Sequence, residues 1–307
     1  VTELEKRLVS IWEEVLGVEG IGVTENFFEM GGHSLKVMEM VAKIYKELEV
    51  DVPVYVVFQY PTILQLSAFI FSSDGVDQEK KLGYIIQLTQ RGTKNLFCFP
   101  GAGGLGNAFH VMMGNISDWS GYGLNFVDCS DIVNRYINEI EKIQKEGPYV
   151  FLAYSAGISL AYEVIKAFQQ KGESVSHLIV LDAKLESIKN PLEEDEISQV
   201  IEQAFRNYHE IRGFLDIPNF RHQIAEQMKR YIKFSANTIY DQPILTQIHR
   251  IESESHDKWD NEDLKTLAHN GYRSYAGHGP HNRMLREPYV KENAEILQCI
   301  LTDIVIR

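Results

Sequence analysis

The hydrophobic pattern of this 307-residue chain changes near residue 72, and that change limits the folds open to it. Before residue 72, apolar residues recur with the 3.6-residue period of amphipathic helices. After residue 84, short apolar runs alternate with helical stretches, as they do in α/β proteins. The residues between are small or charged and have no apolar period, which indicates a linker over residues 73–83. The pattern predicts an all-α domain over residues 1–72 and an α/β domain over residues 84–307.

The first 72 residues predict a small four-helix bundle. Thr2 and Glu5 have the spacing of a capping box at the start of the first helix, and Gly17 ends that helix. A second helix opens at Ser34 after two glycines, and Thr62 can cap a last helix. A short turn between these two helices completes the bundle.

The second domain predicts a mostly parallel sheet. Its apolar runs, each a predicted strand, are residues 84–88, 95–99, 149–152, 177–181 and 247–251. Helical patterns separate several of these runs, near residues 130–145, 156–171 and 287–303. Continuous apolar strands bounded by helices are typical of a parallel sheet covered on both faces. Residues 186–240 interrupt this rhythm with two predicted helices, and a long insertion at that place is typical of a lid.

A serine follows the predicted strand 149–152 almost directly. The sequence AYSAG at residues 153–157 leads at once into a helix, which is the strand, sharp turn and helix of a nucleophile elbow. Such a turn strains the serine, so the residues two before and two after it must be small. Ala153 and Gly157 are small, although the usual motif has glycine at the position of Ala153. Ser155 is therefore the predicted nucleophile, and the alternative is an ordinary strand-to-helix turn.

An acid and a histidine can complete a catalytic triad with Ser155. Asp182 follows the next predicted strand, and the carboxyl ends of neighbouring parallel strands lie at one edge of a sheet. The base comes late in the chain in this topology, and His278 and His281 both lie in a late loop over residues 275–282. Either can reach the serine, and we favour His281, which directly precedes residues 282–285. A zinc site made by these two histidines lacks a third ligand nearby in the sequence.

A glycine-rich loop follows the predicted strand 95–99. Residues 99–104 (FPGAGG) can supply a backbone N–H toward the elbow, and the N–H of Ala156 would complete an oxyanion hole. The glycine spacing fits neither the dinucleotide fingerprint nor the P-loop, which needs Gly-Lys-Ser/Thr. The loop therefore favours acyl transfer over nucleotide binding.

Charge and composition exclude several partners. The net charge is −13, of which residues 1–74 carry −7, whereas binding to a phosphate backbone needs clustered Lys and Arg. No apolar run approaches the ~20 residues of a membrane span, and the start lacks both a signal-peptide pattern and an initiator Met. We therefore expect a cytoplasmic piece of a longer chain, with no nucleic acid or membrane partner. The cysteines are too few and too far apart for a disulfide framework or a four-ligand zinc site, so we expect no metal and buried thiols at Cys98, Cys129 and Cys299.

Residues 26–35 (NFFEMGGHSL) resemble the attachment signature of the peptidyl carrier, or thiolation, domains of nonribosomal peptide synthetases. The resemblance covers nearly all of residues 1–72. It implies an acyl-carrier-like bundle in which Ser34 is esterified with 4′-phosphopantetheine, whose thiol carries a peptide as a thioester. It also implies three partners: a phosphopantetheinyl transferase and the upstream condensation and adenylation domains. For Ser34 alone, the alternative is a plain helix N-cap.

Residues 84–307 look like the type I thioesterase domain that terminates such synthetases, a relative of the α/β-hydrolases with a helical lid. The matching segments are residues 97–100, 154–157 and 279–281. In that family the acid follows the strand after the nucleophile helix, which implies Asp182 rather than Asp257. The base and the two oxyanion donors of the family fall on His281, Ala102 and Ala156.

The function that these resemblances imply is terminal release of a nonribosomal peptide. Ser155, deprotonated by His281, would attack the peptidyl thioester on the arm of Ser34. Water or a group of the same peptide would then free an acid or a macrocycle. One alternative is a carrier joined to a catalytically inactive hydrolase fold that serves as an interaction module. Another is a proofreading hydrolase that clears stalled carriers.

Overall fold

The computed structural model describes most of the chain. The residues outside the description are 33, 51, 53–55, 58–59, 73–83, 128, 130, 184, 186–192, 208–219, 255–261 and 305–307. The chain forms two compact units, Val1–Gly83 with Val200–Glu226, and Tyr84–Gln199 with Gln227–Arg307. The division falls within the insertion predicted at residues 186–240, while the predicted linker 73–83 lies outside the described residues.

Three helices account for most of the residues described in the first unit's N-terminal segment: α1 (Glu3–Leu16), α2 (Ser34–Leu48) and α3 (Ile63–Ser72). The Thr2 hydroxyl accepts a hydrogen bond from the Glu5 N–H, and the Glu5 carboxylate accepts one from the Thr2 N–H, so the capping box is confirmed. Gly17 ends α1 in the left-handed conformation. Thr62 caps α3 by accepting a hydrogen bond from the Gln65 N–H.

The apolar faces of these helices form the core of this segment. Trp12 is fully buried and meets the ring of Phe27 edge-on, with the ring centroids 4.9 Å apart. Burying a side chain of this size contributes about 3 kcal/mol. Val56 and Val57 are also buried, but the residues on either side of them lie outside the described part of the chain. The sequence predicts a short turn at this place, so the four-helix count of the bundle stays a prediction.

Seven strands form one sheet in the described part of the second unit: β1 (Ile85–Thr89), β2 (Lys94–Phe99), β3 (Trp119–Leu124), β4 (Tyr149–Tyr154), β5 (Val175–Leu181), β6 (Gln247–Glu252) and β7 (Tyr272–Ala276). Their order across the sheet is β1-β3-β2-β4-β5-β6-β7. β1 pairs antiparallel with β3, and the other neighbours pair parallel. The predicted, mostly parallel sheet is confirmed.

The helices after α3 are α4 (His110–Gly114), α5 (Ile132–Ile143), α6 (Gly157–Gln170), α7 (Glu194–Asn207), α8 (Phe220–Asn237), α9 (Glu262–Leu267) and α10 (Val290–Asp303). α5 and α6 pack on the sheet face that carries Phe97 and Phe151. α4 and α10 pack on the opposite face, which carries Cys98 and Leu152. Because both faces are covered, the central strands are apolar at successive positions. No helix in the described ranges is both long and apolar enough to cross a membrane.

The register brings the carboxyl ends of the central strands to one edge of the sheet. The last paired residues are Phe99 with Ala153, Tyr154 with Leu181, and Leu181 with Ile251. The residues that follow β4, β5 and β6 therefore leave the sheet at one level. In α/β sheets this is the edge at which ligands bind.

Two strands, β3 and β7, differ from the sequence prediction. β3 lies inside the sheet, but its sequence WSGYGL has two glycines, which strands disfavour. Gly123 is needed there because a Cβ would lie 2.4 Å from the carbonyl oxygen of Gly106. β7 includes Tyr275 and Ala276, for which the sequence predicts a loop. The sequence YRSYA of this edge strand is polar and partly exposed, so it lacks the apolar run that marks the other strands.

The cysteines differ in burial, and one of them contradicts the prediction. Cys98 is buried, Cys129 is half-buried and Cys299 is exposed. The expectation of a buried thiol is wrong for Cys299, because its neighbours Leu297 and Ile300 fill the buried side of α10.

Two helices, α7 and α8, lie within the insertion at residues 186–240, as predicted. Lys229 of α8 pairs with Glu194 of α7 at 2.6 Å. The Tyr231 hydroxyl donates to the Pro100 carbonyl oxygen at 2.8 Å, and the Tyr231 ring stacks on Phe126 with centroids 4.1 Å apart. α8 is thereby fixed to the loop after β2, while the role of a lid stays a prediction.

Candidate active site

Ser155 lies in a sharp turn between β4 and α6. Its φ is +52°, a left-handed value that strains a residue with a side chain. The Ser155 N–H donates to the Leu181 carbonyl oxygen at 3.2 Å. A Cβ on Gly157 would lie 2.4 Å from the Phe99 carbonyl oxygen, so a small residue is required there. The predicted geometry of the elbow is confirmed.

Three side chains meet at this turn. His281 Nε2 lies 3.0 Å from Ser155 Oγ, and His281 Nδ1 lies 2.7 Å from Asp182 Oδ2. Both distances are those of hydrogen bonds. In such a chain a neutral imidazole can take the proton of the serine while the carboxylate balances the charge that results.

Asp182 is fully buried at the end of β5. Its N–H donates to the Ile251 carbonyl oxygen at 2.9 Å, and its Oδ1 accepts a hydrogen bond from the Ser253 N–H at 3.0 Å. Burial raises the pKa of Asp182, but hydrogen bonds from His281 and Ser253 outweigh burial and lower that pKa to about 2. The group is therefore ionised at neutral pH. The other candidate acid, Asp257, lies outside the described residues.

The loop that carries His281 is anchored to α10. Asn293 is fully buried; its Oδ1 accepts a hydrogen bond from the His278 N–H, and its Nδ2 donates to the carbonyl oxygens of His278 and Met284. These bonds hold the backbone on both sides of His281. His278 is itself exposed, with Nδ1 3.8 Å from Glu254 Oε1. Of the two histidines, His281 is the one that the structure brings to the serine.

The two loop histidines do not meet at a metal site. His281 contacts a serine and a carboxylate, and His278 lies near one carboxylate. Among the residues that the structure describes, no three His, Cys, Asp or Glu side chains are grouped to hold a metal ion.

The loop after β2 lies beside the elbow. A Cβ on Gly101 would lie 3.4 Å from the Ser155 Cβ. Ala102 is next in this loop, and Ala156 follows the serine. Neither alanine N–H donates a hydrogen bond to another group in the described part of the chain. Two such donors near a nucleophile are what an oxyanion hole requires.

Ser34 is the first residue of α2, in the first unit. The turn before it is tight, because Gly31 has a φ of +91° and a Cβ on Gly32 would lie 2.2 Å from Phe27 Cδ1. The first turn of α2 has no acidic residue, and the N-terminus of a helix favours a phosphate group. These residues fit a phosphodiester at the start of α2, the place of the predicted attachment residue Ser34. His33 of the signature lies outside the described residues.

Two residues that hold the site, Ser253 and Asn293, are absent from the sequence predictions. Ser253 follows β6, so the rule that selects Asp182 from the end of β5 also selects Ser253. No sequence signal marks Asn293, because asparagine within a helix is usually exposed.

Comparison with protein families identifies both parts of the chain. The model of the thioesterase domain matches residues 94–280, more than half of the chain. The chain belongs to the thioesterase domain family. The model of the phosphopantetheine attachment site matches residues 6–70, which include Ser34. The predicted resemblances are therefore confirmed, and with them 4′-phosphopantetheine as the cofactor.

Similar proteins are peptide synthetases. Tyrocidine synthase 3 of Brevibacillus parabrevis is 32% identical over 321 residues, which cover 98% of this chain and 5% of that protein. Surfactin synthase subunit 3 of Bacillus subtilis is 30% identical over 304 residues, which cover 96% of this chain and 23% of that protein. The solved thioesterase domain that cyclises surfactin has a TM-score of 0.64 and 22% identity, and the match covers 75% of this chain and 100% of that domain. The α/β fold is shared, and the chain spans a small share of the synthetases' length.

Proposed function

We propose that the chain releases a peptide from its own carrier. A peptidyl thioester held at Ser34 is transferred to Ser155 and then released as an acid or a macrocycle. The proposal is carried by one observation, the continuous hydrogen-bond chain from Ser155 through His281 to Asp182. It is supported by the phosphopantetheine attachment site in the same chain, which supplies the substrate that an acyl-transfer site consumes.

His281 and Asp182 activate the serine. Nε2 of the neutral imidazole accepts the Ser155 proton as the serine oxygen bonds to the acyl carbon, and the ionised Asp182 balances the charge on the imidazole. The C–S bond breaks, and His281 gives the proton to the leaving sulfur. The acyl group is then an ester of Ser155. The 4′-phosphopantetheine on Ser34 would supply the thiol that presents the acyl group.

A second nucleophile completes the reaction. His281 takes a proton from water, or from an amine or hydroxyl of the same peptide, as that group bonds to the acyl carbon and the Ser155 oxygen leaves. Water gives an acid, and an internal nucleophile gives a macrocycle. The N–H groups of Ala102 and Ala156 stabilise the oxygen anion in both steps. The solved surfactin domain is a cyclising thioesterase, which supports the second outcome.

The relatives are far longer than this chain. We therefore propose that condensation and adenylation domains of the same synthetase supply the peptide, and that a phosphopantetheinyl transferase modifies Ser34 in the cytoplasm. The net charge of −7 on residues 1–74 favours basic faces on these partners.

The test follows one acyl group from Ser34 to product. A peptidyl-pantetheine arm is loaded enzymatically onto wild type, Ser155→Ala and the exposed-serine control Ser117→Ala. Intact-protein and product mass spectrometry then follow the loaded chain. Wild type and Ser117→Ala should lose the peptide as an acid or as a macrocycle one water lighter, whereas Ser155→Ala should stay loaded.

Each alternative gives a different result. Equal turnover by Ser155→Ala would refute the nucleophile. A wild-type chain that neither turns over nor reacts with a fluorophosphonate would instead indicate an inactive interaction module. A strong preference for short acyl groups over peptides would indicate a proofreading hydrolase.

A further inference from the structure

Tyr154 contacts His281 in two ways at once. The Tyr154 hydroxyl donates to the His281 carbonyl oxygen at 2.6 Å. The two rings also stack, with centroids 5.2 Å apart and planes 24° from parallel. One side chain therefore contacts both the backbone and the imidazole ring of the predicted base.

The same ring contacts the loop that carries a predicted oxyanion donor. A Cβ on Gly101 would lie 3.0 Å from Tyr154 Cδ1 and 3.2 Å from Cε1. Tyr154 also directly precedes Ser155 in the chain. It thus adjoins the serine, the histidine and the loop of Ala102.

We infer that Tyr154 is a positioning residue that sets the imidazole plane of His281 relative to Ser155 Oγ; this inference rests on the proposed function. The side chain of His281 is 40% exposed, so burial does not hold it as it holds Asp182. The hydrogen bonds at Nδ1 and Nε2 lie in the ring plane and resist in-plane movement. A stacked ring resists tilting out of that plane, and the hydroxyl bond fixes the backbone from which the imidazole extends.

A second tyrosine–histidine pair in the same sheet provides a matched control. Tyr275 and His249 stack with centroids 6.0 Å apart and planes 24° from parallel, and the Tyr275 hydroxyl lies 3.2 Å from His249 Nδ1. This pair is outside the triad. Tyr275→Phe removes the same atom as Tyr154→Phe without touching His281.

The experiment measures kcat and KM for hydrolysis of an octanoyl thioester of N-acetylcysteamine by the full chain. Tyr154→Phe keeps the ring and should lower kcat three- to tenfold, since sub-ångström changes in geometry have effects of roughly this size. Tyr154→Leu removes both contacts and should lower kcat about a hundredfold, so the conservative variant rescues most of the loss. KM should stay within about twofold in both variants, because Tyr154 acts through His281 and not on the substrate. Tyr275→Phe should match wild type.

The rate at which a fluorophosphonate labels Ser155 should fall less in Tyr154→Phe than in Tyr154→Leu, because this reaction also needs the base. Melting temperatures identify any variant that fails to fold. If Tyr154→Leu fails to fold, the kcat of Tyr154→Phe alone tests the inference. A kcat for Tyr154→Phe within twofold of wild type, or an equal fall in Tyr275→Phe, would overturn the inference while leaving the proposed function intact. A wild-type chain that neither hydrolyses nor is labelled would overturn both.

Discussion

Replacing Asp182 with asparagine changes one charge at the centre of the site and very little of its shape. The carboxylate accepts a hydrogen bond from His281 Nδ1 at 2.7 Å and another from the Ser253 N–H. An asparagine oxygen can keep the bond from Ser253, but its NH2 group would then face Nδ1 and donate to it. The imidazole would carry its proton on Nε2, toward Ser155, and would no longer act as a base.

The size of the effect follows from the lost charge. At 2.7 Å and an effective dielectric constant of about 20, a carboxylate stabilises an imidazolium by about 6 kcal/mol. The 40% exposure of the His281 side chain reduces this value. Since about 1.4 kcal/mol of barrier corresponds to a factor of ten, we expect Asp182→Asn to lower kcat by about 10³- to 10⁴-fold at pH 7.

The assay is hydrolysis of the octanoyl thioester, with fluorophosphonate labelling of Ser155 as a second measurement. Asp241→Asn is the matched control, because Asp241 also accepts hydrogen bonds from a tyrosine and a lysine but lies outside the triad. The control should retain activity within about twofold of wild type. If Asp182→Asn keeps more than about a tenth of wild-type kcat while folded, then Asp182 does not stabilise the imidazolium.

Three further predictions concern Ser34, Gly157 and His249. Ser34→Ala should abolish the mass gain from phosphopantetheine while hydrolysis of the soluble thioester stays within about twofold, because the soluble substrate does not need the carrier. Gly157→Ala should destabilise the chain by at least about 2 kcal/mol in thermal melts, because its Cβ meets a carbonyl oxygen at 2.4 Å, whereas Gly114→Ala, with open space around the new Cβ, should not. Burial, aided by His177, lowers the pKa of His249 from 6.5 to about 4, so unfolding free energy should fall by up to about 3 kcal/mol between pH 6.5 and 4. Stability falls toward low pH because His249 takes up its proton at a higher pH in the unfolded chain than in the folded chain. His249→Gln should flatten this dependence of unfolding free energy on pH. If the dependence is the same in His249→Gln and wild type, its attribution to His249 is wrong.

The central strands were predictable because both of their faces are covered. Phe97 and Cys98 point to opposite sides of the sheet, and each side is a buried core, so the strand reads as a continuous apolar run. β3 escapes this rule because Gly123 is required by the close approach of Gly106, and a glycine carries no apolar signal. A tertiary contact therefore requires glycine at position 123, and a single sequence does not reveal that contact.

The residues of the candidate site also divide into those that the sequence predicts and those that it leaves open. Ser155 and Asp182 each follow an apolar strand, so the topology alone places them at one edge. The residues alone leave both His278 and His281 able to act as the base, and only the family resemblance strengthens the preference for His281. The reason is that the path of their loop is set by Asn293, a buried side chain 12 residues after His281 with no local signal.

Ser155 and Asp182, which the topology predicts, and His281, which it leaves open, are also held in place by different contacts. Ser155 and Asp182 have left-handed φ values of +52° and +44°, a strain of about 1–3 kcal/mol each. In both, the strained residue's N–H donates to a carbonyl oxygen of the neighbouring strand, that of Leu181 for Ser155 and that of Ile251 for Asp182. The sheet ladder therefore continues one residue past its strands and holds the nucleophile and the acid in place. His281 is held instead by side chains, the Tyr154 hydroxyl at its carbonyl oxygen and Asn293 in its loop. Substitutions along the ladder should therefore lower stability and activity together, whereas substitutions around the His281 loop should lower activity first.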